Sequence, residues 1–516
     1  MSTESMSSLW LDGRPALLTQ PFLADQLYDV VVVGAGITGL STALMLAETG
    51  HSVAVIEARG IGALATGNTT GKISLLQGSR LSTIRKHHSR RVLEAYVESN
   101  RDGQEWLLDF CERAGVPVQR KTTYSYAPTP DAADVVEAEY RAAREAGLPV
   151  ALVDGEHVDV PFPFAFGVAL PEQAQFDAMD ALDALARELL AAGGVIHTHT
   201  RVTGVKASSP AVVSTPSGTV RAHAVVLATA TPILDRGLYF AKTHGLRSYA
   251  LSFEIPDAAP GGLPDGMFLS VGDEEHSRSV RTAPRAGGEQ LVVGGNGHPV
   301  GRPGERSEQQ RVDELVEWAT GLYPSAELTH SWSAQDYESF NLIPFVGALP
   351  RGRGRIYLAT GFAKWGMTNG VAAALRLVSE ISGEPMGERR RWHRVLGTRM
   401  TKPADLGRGA VGGAEVGFET AKGWLGAERA STPVARPAEG VGVVANNRGL
   451  PVGVSTVDGV TCAVSAVCPH LGGVLVWNDA ERSWDCPLHA SRFAADGTRL
   501  EGPALADLRP LPRVRR

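Results

Sequence analysis

The stretch from Asp29 to Arg59, DVVVVGAGITGLSTALMLAETGHSVAVIEAR, restricts the fold more than any other part of the chain. Val30 to Val33 form a β-branched run suited to a strand buried on both faces, and Gly34, Gly36 and Gly39 follow at GxGxxG spacing. Leu40, Ala43, Leu44 and Ala47 then recur at helical spacing up to Gly50, and Val53 to Ile56 make a second strand that ends at Glu57. This is a complete βαβ unit and predicts a Rossmann-like α/β domain.

Each small residue has a physical role. Gly34 permits the tight turn, Gly36 lets a pyrophosphate approach the backbone, and Gly39 allows close helix–strand packing. Free N–H groups in the first helical turn, which holds Ile37 and Thr38, favour an anion. Glu57, with Ala58 beside it, sits at the strand tip and can accept hydrogen bonds from both ribose hydroxyls. A free 2′-hydroxyl is therefore expected, as in FAD or NAD.

The chain has 516 residues, room for two or three domains with an ample core. Its net charge of −6 with interspersed signs argues against nucleic acid as a partner. MSTESMSSLWLDGRP lacks a basic segment followed by an apolar one, and no stretch is apolar for long enough to span a membrane, so a cytoplasmic location is expected. Residues 1–28 read as an irregular leader with Trp10 and Leu11 available for packing.

Beyond the βαβ unit, GIGALATGNTTGKISLLQGSR is rich in small and hydroxyl residues, with Lys72 following Thr69, Thr70 and Gly71; such a loop brings N–H groups and hydroxyls against a cofactor. Helices are predicted from His88 to Gly115 and from Asp131 to Gly147. The segment from Pro171 combines an amphipathic helix with a strand ending at Val202, and residues 212–228 read as a hairpin. LRSYALSFEI, MFLSV, SRSVRTAPR and QLVVGG suggest an antiparallel sheet, the natural substrate layer. RIYLATGFAKWGMTNG is a strand, a glycine-bearing loop through Gly361 and Gly366, and a helix starting near Thr368, after Met367. No second nucleotide fold is present: LVVGGNGHPVG is blocked by Pro299 and Gly301, and the loop at Gly361 lacks the spacing.

Four cysteines occur. Cys111 and Cys462 lie in helical and strand-like patterns and read as small core residues. The other two belong to CPHLGGVLVWNDAERSWDCPLHASRF, which supplies Cys468-x-His470 and Cys486-x-x-His489. Two thiolates on one iron and two neutral imidazoles on the other suit a [2Fe–2S] cluster of raised potential. The rival is a structural Cys₂His₂ zinc site, which normally pairs Cys with Cys and His with His, whereas here each arm runs Cys then His.

The two signatures together resemble FAD-dependent oxidoreductases of the D-amino-acid-oxidase-like (glycine and sarcosine oxidase) superfamily fused to a C-terminal Rieske domain. The resemblance rests on VVVVGAGITGLSTA with Glu57, TRVTGV and ATGFAKWGMTNG in the first part, and on CPHLGG, WNDAERSWDCPLH and SRF in the second. It implies Gly34, Gly36, Gly39 and Glu57 at pyrophosphate and ribose, Val202 at adenine, and Gly361 to Thr368 facing the flavin. Rieske domains of this kind usually read CTHLGC and CPCHGS with a disulfide bracing the cluster loops. Here Gly473 and Leu488 replace those cysteines, and Phe493 stands where respiratory Rieske proteins place a tyrosine hydroxyl near sulfur. Fewer hydrogen bonds to sulfur imply a potential below that of respiratory centres.

The expected architecture is a leader at 1–28, a FAD-dependent oxidoreductase at 29–385, a helix and linker at 386–431 and an all-β Rieske domain at 432–516. Dinucleotide-binding parts fall near 29–80, 170–235 and 335–385, interleaved with an antiparallel substrate domain near 116–165 and 245–330. FAD is expected to oxidise a small amine or amino-acid-like substrate and pass electrons to the cluster and on to an acceptor the sequence does not identify. Arg247, Tyr249 and Arg281 are the substrate-side candidates, an arginine being suited to clamp a carboxylate, and Lys364 is a candidate donor to the flavin or an oxygen adduct. Alternatives are an electron-transfer component serving an oxygenase and a redox sensor.

Overall fold

The computed structural model describes residues 6–17, 19–256, 262–273, 276–285, 287–302, 304–397, 418, 423–425 and 436–511. Its first sheet is ordered Phe345–Ala348, Ile356–Thr360, Gly218–Leu227, Leu27–Val33, Val53–Ile56, Val195–His197. Leu27–Val33 pairs in parallel with Val53–Ile56 on one side and Gly218–Leu227 on the other. Val30 to Val33 are all buried: Val30 and Val32 lie under the helices Ile37–Glu48, Ala178–Ala191 and Gly366–Ile381, and Val31 and Val33 face an apolar layer on the other side that includes Val205, Val213 and Ile233.

The second sheet runs Glu327–Ser339, Thr243–Glu254, Gly288–Pro299, Arg278–Arg285, Met267–Ser270, Val118–Ala127, Phe166–Phe176, Lys72–Ile73, with Ala151–Asp154 paired to Phe166–Phe176. It is antiparallel except where Met267–Ser270 lies parallel to Val118–Ala127. Two boundaries differ from the sequence reading. PEQAQF continues a strand, with Gln173 and Gln175 buried, and the helix begins only at Ala178, where Asp177 accepts from the Met179 N–H at 2.9 Å. Lys72–Ile73 leaves the nucleotide layer and joins the substrate sheet.

Val202 does not end a strand. The strand Val195–His197 stops, His199 turns left-handed at φ 51°, and the backbone of His199 and Thr200 donates to the carbonyls of Arg59 and Glu57 at 2.9 and 2.8 Å. Those bonds carry Val202 over the Glu57 end of the sheet. The leader is tied down: Trp10 is buried and donates from its indole to the Thr69 carbonyl, and Arg14 reaches Asp177, Asp180 and Asp183.

Of the helix and linker expected at 386–431, Arg391–Val395 is helical; most of the remainder lies outside the described residues. The C-terminal part holds a three-stranded sheet, Gly442–Asn447, Leu450–Val457 and Val460–Ser465, and a four-stranded one, Val476–Asn478, Ser483–Asp485, Arg492–Ala494 and Arg499–Glu501. Cys111 is wholly buried in the helix Arg90–Arg113, and Cys462 sits on Val460–Ser465. No helix among the described residues is long and apolar enough to cross a membrane.

Candidate active site and cluster-binding loops

One cavity of about 1100 Å³ runs along the C-terminal ends of the parallel strands and under the second sheet. Gly34, Gly36, Ile37, Thr38, Glu57, Ala58, Thr69, Thr70, Lys72, Val202, Gly361, Gly366 and Met367 all line it. The glycine turn is a cradle that only glycine fills. Gly34 has φ +108° and an added Cβ would stand 2.4 Å from the Ala228 carbonyl oxygen; one on Gly39 would stand 2.0 Å from the Gly34 oxygen. Gly39 thus acts through packing and does not face the cavity. The helix Ile37–Glu48 has no bond from an N-cap side chain, and its start lines the cavity at Gly36, Ile37 and Thr38, with the Ile37 N–H donating to Thr66 Oγ1 at 3.2 Å. Glu57 accepts from the N–H groups of Ala35 at 2.9 Å and Arg59 at 2.8 Å, which fixes the carboxylate at the strand tip. These features fit FAD.

Lys72 is buried and donates from Nζ to Ser279 Oγ at 2.6 Å and Thr70 Oγ1 at 3.2 Å; burial, with the nearby Arg281 charge, pushes its pKa well down. The helix Gly366–Ile381 also lacks a side-chain cap and points its start at the cavity. Thr368 turns away and donates to Asn100 Oδ1 at 2.6 Å, tying this helix to Arg90–Arg113.

The substrate-side candidates divide. Tyr249 and Lys364 line the cavity, and the buried Tyr249 hydroxyl has no hydrogen-bond partner. Arg281 does not line it. Its Nη1 donates to the carbonyls of Thr70, Gly71 and Phe176 at 2.7, 3.0 and 3.2 Å, and Trp10 covers the guanidinium at 5.1 Å, so it staples the Thr69–Lys72 loop; burial lowers its pKa to about 9. Arg247 is also wholly buried, but against the C-terminal domain, where it meets Glu481 and Asp485 and donates to Gln335 Oε1 at 2.7 Å. A bulge in the pairing with Gly288–Pro299 separates it from Tyr249.

Sequence reasoning missed Asp336 and Glu338. On Glu327–Ser339 they alternate with the buried Gln335, Tyr337 and Ser339, and both line the cavity. The alternation of acids in AQDYES was the available signal. Asp336 Oδ2 is enclosed with no hydrogen-bond partner; burial pushes the carboxyl up to about 6, with Lys364 pulling the other way. Burial also acts on Glu338, but hydrogen bonding from His244 and the Arg80 charge hold it down to about 2.

At the other end, Cys468-x-His470 and Cys486-x-x-His489 come together. The two thiols hydrogen-bond to each other, N–H groups of His470 and Leu471 face Cys468, and those of Leu488 and His489 face Cys486. The two imidazole rings lie 5.1 Å apart. His489 is kept neutral, pushed down to about 4 by burial and His470, and its buried Nδ1 has no hydrogen-bond partner, as a ligand nitrogen requires. Leu488 fills the place of the missing brace: an added Cβ on Gly473 would stand 2.7 Å from Leu488 Cγ. These loops fit a [2Fe–2S] cluster.

The two sites share a wall. Pro487, Leu488, His489 and Ala490 line the cavity together with the loop Gly361–Met367. Phe240, also lining it, packs edge-on against His470 at 5.0 Å and His489 at 4.9 Å. His470 Nε2 lies 3.3 Å from Asp235 Oδ1.

Residues 29–380 match the family model for FAD dependent oxidoreductases, and residues 432–512 match that for the Rieske [2Fe-2S] domain. A putative Rieske 2Fe-2S iron-sulfur protein of Bacillus subtilis (strain 168), YhfW, is 28% identical over 495 residues, covering 94% of this chain and 93% of that protein. The glycine oxidase of Geobacillus kaustophilus (strain HTA426) is 26% identical over 358 residues, 66% of this chain and 89% of that enzyme. A crystal structure of glycine oxidase from Geobacillus kaustophilus shares the fold over 72% of this chain and 99% of its own, with a TM-score of 0.59 at 22% identity. The cradle, the paired Cys/His loops and these matches agree, and the chain belongs to the FAD-dependent oxidoreductase family, with a Rieske [2Fe–2S] domain at its C-terminus.

Proposed function

We propose that this oxidoreductase takes a small amine or amino-acid-like substrate into the cavity beside Lys364 and Tyr249, and that the electrons leave through its own Rieske cluster. The observation that carries this reading is the shared wall: His489 of the cluster loops lines the same void as the flavin loop. The chemistry that FAD supplies when bound is two-electron acceptance from a C–H bond beside nitrogen and one-electron release, and the cluster supplies a one-electron store.

The chain's own residues then have defined tasks. An amine arrives as an ammonium and must lose a proton before its C–H bond can yield a hydride. Asp336 is suited to take that proton, since it lines the cavity and burial pushes its carboxyl up to about 6. Lys364 lines the cavity beside it and keeps the carboxylate compensated. Tyr249 lines the same cavity, its hydroxyl buried and without a hydrogen-bond partner. The glycine oxidase relative favours small amino acids and amines as first substrates to try.

The test is anaerobic mixing of the purified holoprotein with candidate amines and amino acids while flavin and cluster absorbance are followed together. Bleaching of the flavin followed by reduction of the cluster is expected. A flavin that stays oxidised with every amine, yet is reduced by a partner reductase, would instead make the protein an electron-transfer component.

A further inference from the structure

The cavity has a wall that the flavin domain does not make. Arg499 to Gly502, on and beyond the last strand of the Rieske domain, line it alongside Glu57 and Val202. Their position along the cavity is marked by Arg201, whose Nη2 donates to the Arg499 carbonyl at 3.3 Å and whose charge is coupled to Glu57. This is the end where the βαβ unit receives the adenosine half of the cofactor.

Glu501 stands in that wall. It is 5% exposed, its Oε1 is buried without a hydrogen-bond partner, and the nearest cation, Arg492, is 3.6 Å from the other oxygen. A buried carboxylate oxygen left unpaired costs free energy until a donor reaches it. Glu57, by contrast, already has both oxygens engaged by backbone N–H groups. We propose that the Rieske domain is part of the FAD site, with Glu501 accepting a hydrogen bond from the adenosine moiety, so that FAD retention and docking of the Rieske domain are coupled. Coupling follows from linkage: a ligand held by both domains stabilises the docked arrangement by as much as docking stabilises its binding.

The seam offers a clean way to break docking. An added Cβ on Gly245 would stand 2.3 Å from Ala490 Cβ, so Gly245→Ala forces the surfaces apart. Ala490 has φ 60°, a conformation glycine prefers, so Ala490→Gly in the same chain makes room for the new methyl. The experiment uses full-length holoprotein and reads FAD dissociation as the return of flavin fluorescence after dilution. Gly245→Ala and Glu501→Ala are each expected to speed FAD loss about tenfold, the worth of one hydrogen bond to a charged group. Gly245→Ala with Ala490→Gly is expected to return to within about twofold of the parent. Independently of any variant, loading FAD should slow amide exchange in Arg499 to Gly502. FAD loss unchanged in both single variants, or amide exchange there that is the same with and without FAD, overturns the proposal. No substrate enters these measurements, so they stand apart from the amine reaction.

Discussion

Arg247 of the flavin part and Asp485 of the Rieske part meet at 3.2 Å with the guanidinium wholly buried. Arg492 completes the junction, 2.8 Å from Glu481 and 3.5 Å from Asp485. Removing one member strands buried charge, so Arg247→Met is expected to destabilise docking by about 3–5 kcal/mol. Calorimetry is the check: one coupled transition should split into two. A single transition at the parental temperature would mean that the pair holds nothing together.

This junction also shows where reading a sequence ends. The βαβ unit and its glycines were legible because turn, helix and strand are set within thirty residues of each other, and the paired arms that the fold brings together were legible because Cys-x-His and Cys-x-x-His stand out by their spacing. Arg247 and Arg281 were not. Nothing local to LRSYALSFEI tells that a second domain buries its arginine, nor does SRSVRTAPR show that its arginine binds the carbonyls of a distant loop. Asp336 was missed for the same reason, since an acid in a strand reads as solvent-facing until the opposite wall is known.

Gly34→Ala should yield protein lacking flavin. The added Cβ would meet the Ala228 oxygen at 2.4 Å, and φ +108° is itself strained for alanine. Both penalties fall on the turn assigned to pyrophosphate. Flavin content of the purified variant is the measurement, with cluster absorbance retained as evidence that the Rieske domain still folds. A full complement of FAD would contradict the assigned cradle.

Asp336 gives a pH signature. Burial raises its carboxyl to about 6, so it is a base above that pH and an acid below it. The second-order rate constant for amine oxidation is therefore expected to fall about tenfold per unit below pH 6. In Asp336→Asn that limb should vanish and the rate at pH 8 drop by about 10²–10⁴-fold, the usual worth of a general base. Stability should move the opposite way. A carboxyl whose folded pKa is raised favours the fold at low pH and loses that contribution as pH rises through about 6, so the asparagine variant should gain on the parent between pH 4 and pH 8. Thermal melts across that range check the sign.

The Rieske domain differs from braced ones at two places, and each has a measurable consequence. Phe493 is wholly buried in the core with Trp484 and Leu475 and offers sulfur no hydroxyl, whereas Ser491 still hydrogen-bonds to Cys468. Phe493→Tyr should raise the midpoint potential on the order of 40 mV, the one-electron equivalent of ~1 kcal/mol from an added hydrogen bond to sulfur. Redox titration followed by electron paramagnetic resonance reads it, and no shift would mean the hydroxyl fails to reach sulfur. At the second place, the close approach of Gly473 to Leu488 leaves room for one side chain between the loops. Gly473→Cys alone should therefore speed cluster loss, because the new thiol crowds Leu488 and its Cβ stands 3.1 Å from Cys486 Sγ. Adding Leu488→Cys removes the crowding side chain and supplies the partner, so the double variant should hold its cluster longer than Gly473→Cys in oxidising buffer and lose that advantage when reductant is added.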